Sequence, residues 1–172
     1  MNDLTIYDKN RTSMRTGDCL LYRSKTLLGW VIRLFSPTFN HAGLVVRFDQ
    51  YQGQECRLWT LEALEHGVVL NYLSRRLGEC DAEVWWYPLK DKYNSKRDLV
   101  GEFALVQSGQ PYDYDSLFKN ILGRVSVNAR ELFCSELAFM SWRYAGIVKG
   151  DTAPRPGDIP GLGIFKEKVQ IL

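Results

Sequence analysis

Apolar and polar positions alternate through much of the first half of the chain, and recur with helical spacing through most of the second. Gly17–Arg23 reads as a short strand opened by a turn. Residues 41–49 and 55–64 are two β-rich runs joined by Gln50-Tyr51-Gln52-Gly53, the pattern of a hairpin. Residues 67–73 and 82–87 read as further strands, and Pro88 ends the last of them. Between the first strand and the hairpin, Leu27, Leu28, Val31, Leu34 and Phe35 follow helical spacing after Ser24 and stop at Pro37. Core packing is the ordinary role of such a stripe. Gly29 and Trp30 leave room for a wall that contacts an acyl chain or a membrane surface.

From residue 94 the punctuation is helical. Asn94 or Ser95 caps a helix over 96–108, with Leu99, Phe103 and Val106 on one face and Gly109 at its end. Pro111-Tyr112-Asp113 is a turn and residues 115–123 a short helix. Residues 131–146 form a helix closed by Gly146. Its face Cys134, Ala138, Ser141 and Ala145 is small enough to bring the backbone close to a sheet. Residues 152–163, rich in proline and glycine, read as a loop, and residues 165–172 as a closing strand. Residues 1–14 are polar and read as a loose arm. Strands first and helices second give an α+β class, read as a single domain over residues 1–172.

Composition narrows the function classes. Twenty-two basic and 20 acidic residues leave a net charge of +2, which makes no electrostatic case for a nucleic-acid partner. The four cysteines, Cys19, Cys56, Cys80 and Cys134, are widely spaced, and only His41 and His66 could join them in a zinc cluster. Thiols kept reduced in the cytosol are the simpler reading, since residues 1–10 lack an apolar signal core and no run reaches the length of a spanning helix.

Candidate chemistry centres on Cys134. A thiol at a helix start gains thiolate character from the macrodipole, and thiolate is the nucleophile. The spacing predicts a start near Phe133; Asn128 with Glu131 also resembles a capping box, which would put Cys134 in the second turn. A small buried core cysteine is the competing reading. Of the two histidines, His66 sits at a bend where a solvated ring is expected. A four-residue hairpin loop would pair Asp49 with Gln54 and set His41 opposite Glu62, with Cβ atoms about 4.5–5.5 Å apart. That distance suits a carboxylate orienting an imidazole. Glu65 has the other parity and faces away.

In order along the chain, Gly17-Asp18, Phe39-Asn40-His41-Ala42-Gly43-Leu44, Leu61-Glu62-Ala63 with Gly67-Val68, Gly109-Gln110-Pro111-Tyr112-Asp113 and Phe133-Cys134-Ser135-Glu136-Leu137 resemble the circularly permuted papain-like hydrolases of the NlpC superfamily. That group includes the YiiX-like and lecithin–retinol acyltransferase-like branches. The resemblance implies a permuted papain-like fold, an antiparallel sheet or partial barrel packed against the nucleophile helix. It implies Cys134 as nucleophile, His41 as base and Glu62 as the third polar residue. A glutamate there, rather than a second histidine, leans toward the YiiX-like branch. Oxyanion or substrate contacts would come from backbone N–H groups at Phe133 and Ser135, with a side chain at Asp18 or Tyr22. No metal or organic cofactor is required. The expected substrate is a lipid, acyl-amide or peptide, reached with or without a peripheral membrane contact. A binding module that keeps the fold without catalysis and a redox-sensing thiol protein are the alternatives.

Overall fold

The computed structural model describes residues 2–24, 39–48, 57–64, 67–109 and 128–172. Six strands form one antiparallel sheet: β1 (Cys19–Ser24), β2 (His41–Phe48), β3 (Arg57–Leu64), β4 (Gly67–Tyr72), β5 (Ala82–Tyr87) and β6 (Val169–Gln170), in the order β4-β3-β2-β1-β5-β6. The helices are α1 (Thr5–Asn10), α2 (Leu73–Glu79), α3 (Arg97–Val106) and α4 (Asn128–Tyr144), with 3-10 segments at Asp91–Lys96 and Pro156–Leu162. The chain is therefore α+β, as its pattern predicts.

Period-two alternation sorts the sheet into two buried faces. Cys19, Leu21, Ala42, Leu44, Leu61 and Ala63 pack with α3 and α4, where Val100, Ala104, Cys134, Ala138 and Trp142 complete one core. Leu20, Tyr22, Val45, Leu58, Val84 and Trp86 pack with α1 and α2, through Tyr7, Leu73 and Leu77. Burial on both sides explains why the central strands carry few charges.

Several expectations are corrected. The N-terminal arm is not loose: it forms α1, buries Tyr7 and Met14, and its Asn2 amide donates to the Leu77 and Cys80 carbonyls at 2.8 and 2.9 Å. Two buried side chains of that size contribute roughly 1.5–3 kcal/mol each, which is what holds a polar segment down. Helix α2 takes Leu73 from the strand expected over 67–73 and fills the stretch after it, for which the pattern predicts no element; Leu73 and Leu77, one turn apart, are its anchors. In α3 the buried residues are Arg97, Val100, Gly101 and Ala104, whereas Leu99 and Val106 are exposed. Close approach requires the glycine on that face, since a Cβ on Gly101 would stand 2.8 Å from Thr16 Cγ2. The closing strand is only Val169–Gln170, with a single bridge from Leu89 to Phe165 before it. The apolar segment over residues 27–35, the turn at 50–53, the turn at 111–113 and the short helix over 115–123 lie outside the described residues.

Helix α4, which carries Cys134, begins at Asn128, not near Phe133. Cys134 thus sits in its second turn, where the dipole contributes little. The expected face holds: Cys134, Ala138, Ser141 and Ala145 are all buried against the sheet. Gly146 ends the helix at φ 63°, and the Ile147 N–H donates to the Trp142 carbonyl at 2.8 Å, an αL closure that disfavours other residues. The Trp142 indole donates to the Gly17 carbonyl at 2.9 Å and fixes α4 to the start of β1.

Candidate active site

The hairpin register differs from the predicted one by two residues. Leu44 pairs with Leu61 and Phe48 with Arg57, so one step further Gly43, not His41, faces Glu62. A slip of two preserves the face. Glu62 remains on His41's side of the sheet as its diagonal neighbour, within reach of a long side chain. Gly43 makes that reach available: a Cβ there would stand 2.9 Å from Glu62 Cγ and 2.8 Å from Thr60 Oγ1. The carboxylate lies across the glycine and meets His41 Nε2 at 2.7 Å.

Glu62 is fully buried and is held by two further donors. The Tyr22 hydroxyl donates to Oε1 at 3.2 Å. Arg76 Nε donates to both oxygens, at 3.0 and 3.1 Å. The Arg76 guanidinium also stands 5.1 Å from the centre of the Tyr22 ring, and that ring lies 5.2 Å from the His41 ring. Burial alone would raise the Glu62 carboxyl; the hydrogen bond and charge of His41, with Arg76, outweigh it and hold it down at about 2. Burial, and then the Glu62 charge, push the Tyr22 phenol well above its ordinary value, so it acts as a neutral donor.

Cys134 approaches from the opposite face of the sheet. His41 is the first residue of β2, and its ring interacts with Glu62 and with Cys134. Nε2 is taken by Glu62, which leaves Nδ1 for the sulfur. Burial alone would lower the imidazole; the charge and hydrogen bond of Cys134, followed by those of Glu62, outweigh it and hold the ring up at about 10. A thiol, an imidazole and a carboxylate in series are the groups that nucleophilic acyl transfer uses. Cys19 stands on the Cys134 side, and its thiol is pushed well up by burial first and then by Cys134 and Asp18. Behind His41, a cavity of about 230 Å³ is lined by Tyr22, Ser24, Asn40, His41, Arg76 and Cys80, among others. Among the described residues no three His, Cys, Asp or Glu side chains converge as metal ligands would.

The secondary site assignments divide. Tyr22 joins the site, but its hydroxyl is committed to Glu62 rather than to an oxyanion. Asp18 lies four residues along β1 from Tyr22, about 13 Å away by strand rise. Its buried carboxylate accepts from Arg97 Nη1 at 2.7 Å, Trp86 Nε1 at 2.9 Å, and the Leu89 and Arg15 backbone N–H groups at 3.0 Å each. It is a structural hub and offers no donor to a substrate. Phe133 and Ser135 lie inside α4, so their backbone N–H groups are committed to the preceding turn and cannot form an oxyanion hole. His66 and Cys56 lie outside the described residues. Sequence reasoning missed Arg76. The Leu73/Leu77 pair could have flagged α2, but nothing in the pattern aims Arg76 at Glu62.

No protein-family model matches the chain, and no curated protein matches it.

Proposed function

We propose that this chain is a thiol-dependent hydrolase or acyltransferase of the circularly permuted papain-like kind. The observation that carries the reading is one imidazole held by a buried carboxylate on one nitrogen with the Cys134 sulfur in hydrogen-bonding reach of the ring. Cys134 as thiolate attacks an amide, ester or thioester carbonyl, forming an S–C bond. His41, carrying the thiol proton, donates it to the leaving amine, alcohol or thiol as the C–N, C–O or C–S bond breaks. Neutral His41 then takes a proton from water or another acceptor, which attacks the thioester and releases the acyl group, regenerating thiolate and imidazolium. Glu62 holds the ring and offsets its charge throughout.

A lipid or acyl-amide substrate is favoured over a peptide by the aromatic, apolar sequence around Trp30, which also suits a peripheral membrane contact. The competing reading, a binding module without catalysis, draws on the 1 % exposure of Cys134. Reaction with a thiol-directed acyl probe, read by intact mass, separates the two. Cys134→Ala is expected to abolish the adduct; equal labelling of the variant sinks the proposal. Exposure of the wild-type protein to a mixed lipid and peptide extract then names the substrate class through the adduct mass.

A further inference from the structure

Glu62 is surrounded on every side that packs against it. Tyr22 reaches it from β1, His41 from β2 and Arg76 from α2, with Cys80 just beyond α2 and Asp81 on the wall of the adjoining cavity. Its neighbour across β4 is Val69, which carries no charge. Of these partners His41 is the one that changes state in acyl transfer. Each time it gives up its proton, the buried carboxylate loses a full countercharge and keeps only an N–H hydrogen bond. A carboxylate in that environment without a cation takes up a proton. Arg76 does not titrate in this range, and its Nε bridges both oxygens.

We infer that Arg76, assisted by Tyr22, is a positioning residue that keeps Glu62 ionised and aimed at His41 Nε2 through both protonation states of the imidazole. The inference rests on the reading of Cys134, His41 and Glu62 as a triad. Arg76 touches neither the thiol nor the acyl group; it acts through the carboxylate. Its planar guanidinium, packed over Tyr22, fixes the carboxylate plane as well as its charge. The Tyr22 hydroxyl adds a further bond to Oε1 beside the two from Arg76.

The test is an NMR titration of the imidazole side chains in the whole protein, which uses no substrate and stays readable if the acyl-enzyme reading fails. The chain has two histidines, and His66→Gln assigns the His41 signals. In the wild-type protein the His41 ring is expected to show no inflection between about pH 4 and 6, because Glu62 stays ionised there. In Arg76→Gln an inflection is expected in that window as Glu62 takes up a proton. Arg76→Lys is expected to return it below about pH 4. A glutamine variant that tracks the wild type overturns the inference, as does a lysine variant that tracks the glutamine one. Should Arg76→Gln not fold, Tyr22→Phe decides: an inflection rising into the window supports the inference, and superposition on the wild type overturns it.

Discussion

Replacing Gly43 by alanine adds one methyl group where the hairpin leaves no space for it. Gly43 is absent from the glycines with positive φ, so the backbone accepts alanine without strain. On entropy alone the exchange stabilises a strand by roughly 0.5–1 kcal/mol. Sterics decide otherwise. The new carbon would stand 2.9 Å from Glu62 Cγ and 2.8 Å from Thr60 Oγ1. Relief to an ordinary carbon contact near 3.5 Å moves the glutamate by about 0.6 Å. Taken up at the carboxylate, that shift stretches the bond to His41 from 2.7 Å toward the weak limit. Overpacking of this kind costs about 1–3 kcal/mol, enough to reverse the entropic gain. The expected net loss is about 1–2 kcal/mol, or a fall in Tm of roughly 2–8 °C for a chain of this size. Acyl-probe labelling of Cys134 should slow alongside, because the imidazole loses its fixed orientation. Differential scanning fluorimetry and labelling kinetics on the purified variant read the two effects separately. A G43A protein as stable as the wild type, and labelled at the same rate, would refute the claim that this glycine makes room for the carboxylate.

Other outcomes follow from the same geometry. The Glu62 carboxyl is lowered from 4.5 to about 2, so its stabilisation is complete above 4.5 and is lost as pH falls through 2. The His41 imidazole is raised from 6.5 to about 10, so its stabilisation is complete below 6.5 and is lost as pH rises through 10. Urea unfolding should therefore show a plateau between those unfolded-state values, and Glu62→Gln should abolish the acid limb and shrink the alkaline one; an unchanged profile contradicts the pairing. Cys134→Ala should lower the His41 titration midpoint in the NMR experiment, because the sulfur heads the influences that raise it. Asp18→Ala leaves the Arg97 guanidinium buried without its carboxylate and should cost about 3–5 kcal/mol in urea unfolding. Probe labelling of the fraction that stays folded should be unaltered, whereas a selective loss of labelling would restore Asp18 to the active site.

The sheet and the His41–Glu62 pairing were legible in the sequence, for a reason that also explains the error in register. Side-chain alternation has a period of two, so a hairpin displaced by two residues still puts the same residues on the same face. Glu62 was found by parity although its cross-strand partner is Gly43 rather than His41. Distance could not be read this way, because it depends on a glycine whose value lies in the atoms it lacks. The face of α3 was misjudged for a related reason. Leu99, Phe103 and Val106 form a true apolar stripe, yet the face turned to the core is Arg97, Val100, Gly101 and Ala104, where Gly101 admits the close approach of Thr16 and Arg97 is held by Asp18. The start of α4 was uncertain because its capping pattern competes with the apolar run that follows it. Arg76 was invisible: its contact joins residues 14 positions apart through the curl of α2 over the sheet, which no local pattern records.

Because the thiol and the carboxylate approach one ring from opposite faces of the sheet, the proposed mechanism has acid–base tuning and substrate selection carried by different layers of the molecule. Glu62, Tyr22 and Arg76 belong to the layer of α2; Cys134, Leu137 and Ala138 belong to the layer of α4. Substitutions along α4 can reshape what reaches the sulfur without disturbing the charges that poise the base. Under the proposed function such a division would let specificity drift, in evolution or at the bench, while the groups behind the sheet stay constant.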